Sequence, residues 1–145
     1  MTMLNTQISS IETFGTSSAN FDTAELDLNA NEAKWSSIFN RFQEISSLED
    51  NWDGFDAPRP EYELILATHQ WLIKFMRENK NNPPSRILAT LDGTIAFDWE
   101  ASNIRNQIEF ISPNEAEFSS IGDDIRPQLS TIKIGNYNQV HGLTR

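Results

Sequence analysis

The sequence has no cysteine among its 145 residues, which excludes disulfide bonds, thiolate nucleophiles and zinc sites built on cysteine. It also has no run approaching the roughly 20 consecutive apolar residues of a membrane span. Its first residues lack the basic start and the continuous apolar stretch of a secretory signal. These absences predict a cytoplasmic protein without a membrane partner, although the lack of cysteine by itself fits any compartment.

Basic residues are scarce, with 11 Lys and Arg against 21 Asp and Glu and a net charge of −10. Because proteins bind polyanions by neutralising phosphates with clustered Lys and Arg, we expect no direct nucleic-acid binding. An acidic surface instead suits a basic protein partner, for which charge complementarity speeds encounter and rejects wrong partners. The alternative interpretation is that the charge only keeps the protein soluble.

Recognisable catalytic motifs are also missing from the sequence. Its six glycines are scattered, so no glycine-rich loop is present to cradle a phosphate, and no Gly-x-Ser-x-Gly elbow positions a nucleophile. Neither His69 nor His141 stands in a His-x-x-x-His or Glu-x-x-His pair, and we expect His69 to be a partly exposed structural residue. The sequence therefore predicts a protein that is not an enzyme and that holds no cofactor or metal ion.

The connection at 49–60 has the acidic composition of a calcium loop but not its spacing. If Gly54 takes the sixth position of an EF-hand loop, the twelfth is Pro60, which cannot supply the bidentate carboxylate. We expect the loop carboxylates to accept hydrogen bonds from backbone amides in a tight turn. We also expect Trp52 and Phe55 to pin the loop to the core, since solvated loops seldom carry so much apolar area. Whether the loop binds an ion stays open.

Two segments carry apolar residues at helical spacing. The first, 31–48, has large apolar side chains three or four residues apart, namely Trp35, Ile38, Phe39, Phe42 and Ile45. The second, 60–79, begins with Pro60 at the first helical position, where a missing N–H is not needed. Both patterns predict amphipathic helices with one face in the core.

After the second helix the apolar period changes to 2, which indicates strands. The predicted strands lie at 87–91, at 94–100, around Ile108 and Phe110, at 115–121 and, as a further addition, at 131–134. Asp92-Gly93 predicts a two-residue type I′ turn, in which both residues have positive φ. Apolar and polar residues alternate along these strands, which is typical of an antiparallel meander with one buried and one wet face.

These elements predict an α+β fold, with two amphipathic helices packed on one face of a three- to five-stranded antiparallel meander. Residues 31–121 form the single α+β domain in this interpretation. Residues 1–30 form a loosely ordered acidic arm, with a short strand at 6–11 or with order only on a partner. Residues 122–145 form a polar tail that adds at most one strand.

Two motifs in the chain resemble a known group of proteins. The loop at 51–57 reads Asn-Trp-Asp-Gly-Phe-x-Ala, and the hairpin at 92–99 reads Asp-Gly-x-Ile-x-Phe-x-Trp. Together they resemble small uncharacterised bacterial proteins of mobile or accessory gene clusters, over roughly residues 48–118, with Phe97 where those proteins commonly have an aliphatic residue. The resemblance implies an antitoxin or anti-defence role and no particular activity. Six motif residues are interpreted as fold determinants: Trp52, Asp53, Gly54, Asp92, Gly93 and Trp99.

The leading functional hypothesis is a non-enzymatic, acidic interaction protein that neutralises or occludes a basic protein partner, as an antitoxin or as an anti-defence inhibitor that mimics nucleic acid. Five outward carboxylates on the predicted sheet would imitate spaced phosphates: Asp98, Glu100, Glu109, Glu115 and Glu117. One alternative is a small hydrolase or nuclease that uses carboxylates of the 49–56 loop. Another is a structural subunit of an accessory complex, with a homo-oligomer formed through a sheet edge. The sequence leaves the partner and the oligomeric state open.

Overall fold

In this computed structural model the described residues are 22–122 and 125–133, with side chains described at 29–122, 130 and 131. They form two helices followed by five strands. The helices are α1 (Asp22–Ser46) and α2 (Tyr62–Glu78), and the strands are β1 (Arg86–Ala89), β2 (Ile95–Ala101), β3 (Ile104–Ser112), β4 (Glu115–Gly122) and β5 (Ile125–Lys133). By its internal contacts the chain divides into two units, Met1–Ala30 and Asn31–Arg145. In the first unit only the helical residues 22–30 are described, and the strand predicted at 6–11 lies outside the described residues.

The strands form one antiparallel sheet in the order β1-β2-β3-β4-β5, in which each strand pairs with its sequence neighbour. The helices pack against this sheet, and the predicted α+β meander is therefore confirmed with five strands. The last strand begins at Ile125, earlier than the strand predicted at 131–134, so more of the polar tail joins the sheet than the sequence indicated.

Both helices differ from the prediction at their N-terminal ends. Helix α1 begins at Asp22, so residues 22–30, assigned to the acidic arm, are helical. These residues include the helix formers Ala24, Glu25 and Leu26 and no glycine or proline, so nothing local stops the helix at 31. Helix α2 begins at Tyr62 after an extended Glu61, and Pro60 therefore precedes the helix instead of opening it.

The turn between β1 and β2 is not the predicted two-residue type I′ turn. The Gly93 amide donates to the Thr90 carbonyl at 3.1 Å, and the Thr90 amide donates to the Thr94 carbonyl at 3.0 Å, which closes a three-residue loop. Gly93 has φ +82° whereas Asp92 keeps a negative φ. This is a type I turn followed by a left-handed glycine. The Thr90 hydroxyl accepts from the Asp92 and Thr94 amides, and these local bonds favour the longer loop.

The core lies between the helices and the sheet, and Trp71 of α2 is at its centre. Its ring centroid is 4.9 Å from that of Phe75, 5.5 Å from that of Phe97 and 5.0 Å from that of Phe110. Trp99 joins this group beside Phe75, at 5.5 Å. The buried cluster contains Trp35, Ile38, Phe42, Ile45, Leu64, Trp71, Leu72, Phe75, Ile87, Ile95, Phe97, Trp99, Ile108, Phe110, Ala116 and Phe118. The aromatic rings thus join both helices to the middle strands.

Candidate functional site

The five carboxylates predicted to share a sheet face do share one, and it is the face turned away from the helices. Ile95, Phe97 and Trp99 of β2 point into the core, so the intervening residues Asp98 and Glu100 point outward. The strand register then places Gln107 opposite Asp98 and Arg105 opposite Glu100. Glu109 lies opposite Glu117, and Glu115 lies on the same side of β4.

Asp98 departs from the prediction because its side chain is completely buried. Arg86 Nε donates to its Oδ2 at 2.6 Å, Gln107 Nε2 donates to its Oδ1 at 2.8 Å, and Arg105 Nε lies 3.4 Å from Oδ2. The hydrogen bond to Asp98 and the charge of its carboxylate raise the pKa of Arg86 above its ordinary value. Asp98 therefore holds three neighbouring side chains together and presents no charge to a partner. The prediction of a fully solvated acidic row was wrong at this position.

Glu109, Glu115 and Glu117 also point outward, and we define the acidic stripe as Glu109 and Glu117, because Glu115 lies opposite Lys133 of β5 in the register. All three are half-buried, and one carboxylate oxygen of Glu109 accepts a hydrogen bond from the Thr94 hydroxyl. Glu109 and Glu117 are direct cross-strand neighbours. Like charges in this arrangement destabilise a sheet. Glu100 is exposed but faces Arg105, and it adds little net charge to this part of the face.

The connection between the helices, which we call the Phe55 loop (residues 49–60), is held by side chains that accept from backbone amides. Asp53 Oδ1 accepts from the Phe55 and Ala57 amides, both at 2.9 Å. Asn51 Oδ1 accepts from the Asp56 amide at 2.7 Å. The predicted capping of backbone amides is thus confirmed. The hydrogen bond from the Ala57 amide, which has the larger effect, and that from the Phe55 amide lower the pKa of Asp53 below its ordinary value.

The two aromatic residues of the Phe55 loop behave differently. Trp52 is half-buried, and its indole Nε1 donates to the Pro58 carbonyl at 3.1 Å. Phe55 is 86% exposed, so the prediction that it pins the loop to the core was wrong. It stands between Gly54 and Asp56, which have φ of 82° and 70°. The chain reverses at these residues and turns the Phe55 side chain outward.

The two sequence motifs meet in space. A Cβ built on Gly93 would lie 3.3 Å from Pro58 Cγ and 3.4 Å from the Arg59 carbonyl oxygen. The hairpin turn therefore packs directly on the end of the Phe55 loop, and glycine suits this position because a side chain would crowd Pro58 and because φ is positive. Trp99, at the other end of the hairpin motif, is buried and its indole Nε1 donates to the Asn82 carbonyl at 3.1 Å.

A cleft of about 900 Å³ lies beside the C-terminal end of α2 and the turn between β2 and β3. Its charged lining residues are two lysines and two glutamates, Lys34, Lys80, Glu78 and Glu100. Within residues 22–122 and 125–133, no group of three or more His, Asp and Glu side chains is placed to hold a metal ion. The cleft thus offers mixed charge and no cluster of carboxylates, and the hydrolase alternative stays a prediction.

Three polar side chains of α2 contact the core without joining a recognisable site. His69 is half-buried, as the sequence predicted, and it stacks on Phe42 with 5.4 Å between ring centroids. Thr68 Oγ1 and Trp71 Nε1 are buried without a hydrogen-bond partner among the described residues. Such atoms weaken a core because they lose water and gain no partner.

Neither helix in the described part of the chain is long and apolar enough to cross a lipid bilayer. The chain matches no protein-family model, no curated protein and no solved structure. Its resemblance to small bacterial proteins of accessory gene clusters therefore stays a prediction.

Proposed function

We propose that this chain is a non-enzymatic interaction protein that neutralises or occludes a basic protein partner through the acidic stripe, in the manner of an antitoxin or anti-defence inhibitor. The observation that carries the proposal is the direct cross-strand pairing of Glu109 with Glu117 on the outer face of the sheet. Two carboxylates in that position repel each other in the free protein. A Lys or Arg side chain placed between them would remove the repulsion and gain two charge-assisted contacts.

The surroundings of the pair favour binding over a structural role. Asp98, two residues from Glu100 and on the same face, is matched by Arg86 and Arg105. Glu109 and Glu117 have no such match, because the residues beside them in the register are Ala96 and Thr131. The sheet therefore balances its buried carboxylate and leaves Glu109 and Glu117 without a cation in the register. This contrast supports a role in attracting positive charge from another molecule.

The test compares two double variants that remove the same charge. Glu109→Gln with Glu117→Gln alters the acidic stripe, whereas Glu32→Gln with Glu44→Gln removes two exposed carboxylates of α1. A partner captured from the source cell with the tagged wild-type protein is purified, and its affinity for all three proteins is measured by calorimetry across a salt series. We expect the stripe variant to bind at least about tenfold more weakly and with a smaller salt dependence, and the α1 variant to bind like wild type.

Equal losses of affinity in the two double variants would mean that the partner responds only to the net charge of the protein and not to the position of the acidic stripe. An unchanged affinity in the stripe variant would overturn the proposal, since the outer face would then lie outside the contact. The melting temperatures of both variants are measured first. Because removing a like-charge pair relieves repulsion, we expect the stripe variant to be at least as stable as wild type.

A further inference from the structure

The Phe55 loop places an aromatic ring in water, although the loop itself is firmly held. Phe55 is 86% exposed, which is the largest exposed fraction among the large apolar side chains in the described part of the chain. The flanking backbone is fixed by the bonds to Asp53 and Asn51 and by the Asn51 amide, which donates to the Ala57 carbonyl at 2.8 Å. A large ring held rigidly outside the core is an anchor with little conformational entropy to lose on binding.

The backbone of the loop is strained to keep this shape. Asn51 and Asp56 both adopt the left-handed region, with φ of 67° and 70°, although neither is glycine. Asn and Asp enter this region more readily than other residues, yet it still carries a cost. The strained form persists because local hydrogen bonds enforce it, and its visible consequence is the outward Phe55.

The chain on both sides of Phe55 carries mostly negative charge. Between residues 49 and 63 the chain has six carboxylates and a single basic residue, Arg59. Asp53 has a lowered pKa because it accepts hydrogen bonds from the Ala57 and Phe55 amides, so it keeps its charge to a lower pH than an ordinary aspartate. Asp92 adds another exposed carboxylate from the hairpin turn that packs on Pro58. Leu91, 64% exposed in the same turn, gives this end of the molecule a second apolar side chain.

We infer that the Phe55 loop is a docking surface for a basic segment of another protein, whose apolar side chains pack on Phe55 and Leu91 while its Lys and Arg side chains contact the surrounding carboxylates. The inference rests on the proposed function for the charge of the partner, but it assigns the contact to a different surface from the acidic stripe. A second copy of this chain is a poor occupant, because it would bring the same carboxylates and a net charge of −10.

The experiment uses a phage-displayed library of short random peptides as the probe, selected on the immobilised full-length protein. Enriched peptides are synthesised, and their affinities are measured for wild type, Phe55→Ser, Leu66→Ser and the double variant Glu109→Gln with Glu117→Gln. Leu66 is the matched control, since it is also an exposed apolar residue but lies on α2. Melting temperatures check the fold, and we expect Phe55→Ser to melt like wild type because most of its ring contacts water.

The expected result is a set of peptides that combine Lys or Arg with apolar residues, that bind Phe55→Ser at least about tenfold more weakly and that bind the other two variants like wild type. Peptides that bind Phe55→Ser normally but lose affinity for the Glu109 and Glu117 variant would overturn this inference and leave the proposed function intact. Peptides whose binding depends on Phe55 but that lack Lys and Arg would overturn the inference that the partner segment is basic. Failure to enrich any peptide would overturn the inference that the Phe55 loop is a docking surface. A dimer that is seen by light scattering and that Phe55→Ser dissociates would also overturn it, since a second copy of the chain would then occupy the loop.

Discussion

Alanine substitutions at Gly54 and Gly93 test whether the Phe55 loop and the hairpin turn form one packed unit. The two glycines share the same backbone conformation, with φ of +82°. They differ in their surroundings. A Cβ on Gly93 would meet Pro58 Cγ at 3.3 Å and the Arg59 carbonyl oxygen at 3.4 Å, whereas a Cβ on Gly54 would have nothing within 4 Å. Gly54→Ala is therefore a control for the backbone cost, and the difference between the variants reports the contact.

The magnitudes follow from this geometry. Placing an L-residue in the left-handed region costs about 1–2 kcal/mol, and this cost applies to both variants. Gly93→Ala must also displace Pro58 or the Arg59 carbonyl by a few tenths of an ångström, and overpacking of this kind costs about 1–3 kcal/mol. We expect Gly54→Ala to lower the free energy of unfolding by about 1–2 kcal/mol and Gly93→Ala to lower it by about 2–5 kcal/mol.

The assay is equilibrium unfolding in urea, followed by the fluorescence of the four tryptophans. Equal slopes of free energy against urea for all variants would show that the midpoints report stability alone. A double-mutant cycle then adds Pro58→Ala, which removes the Cγ atom that Gly93→Ala would meet. We expect Pro58→Ala to reduce the cost of Gly93→Ala and to leave that of Gly54→Ala unchanged.

The reasoning is refuted if the two glycine variants lose the same stability and Pro58→Ala does not change either loss. That result would mean that the hairpin turn and the Phe55 loop do not limit each other. The meeting of the two motifs would then have no energetic consequence.

Three further predictions concern single side chains. Thr68→Val removes a buried hydroxyl that has no partner among the described residues, and we expect it to raise the free energy of unfolding in urea by about 1 kcal/mol. A lower free energy of unfolding would indicate that the hydroxyl makes a hydrogen bond in the folded protein. Asp98→Ala should lower that free energy by about 2–4 kcal/mol, because it removes the acceptor of Arg86 and Gln107, and circular dichroism should show an intact fold at low urea. Asp53→Asn tests the lowered pKa of Asp53. The ionised carboxylate stabilises the fold at pH values above its ordinary pKa of 3.8, and this contribution to stability disappears as the pH falls through the lowered pKa. The urea midpoints of wild type and Asp53→Asn should therefore converge in acid, and a constant gap down to the lowest pH would contradict the assignment.

The sequence by itself determined the order of the helices and strands and which side of α1, α2 and β2 faces the core, although Ala96 and Asp98 on the other side of β2 are buried as well. The apolar residues of α1 and α2 recur at 3.6-residue spacing, and those of β2 alternate, so their positions state directly which side chains face the core. Ile95, Phe97 and Trp99 are all buried, as this alternation indicated. The acceptor role of Asp53 was also predictable, because an Asx turn involves only residues a few positions away.

Tertiary structure decided the features that depend on distant residues or on competing local bonds. Asp98 is buried and pairs with other side chains because the strand register brings Arg86 and Gln107 beside it. The sequence does not state this register, so it could not predict which charges pair across the strands. Phe55 looked like a core residue by composition, yet the reversal of the chain next to it turned the ring into water. Periodicity reports which way a regular element faces, but a loop has no period. Its side chains are placed only by the backbone bonds that close it and by the surfaces that it meets.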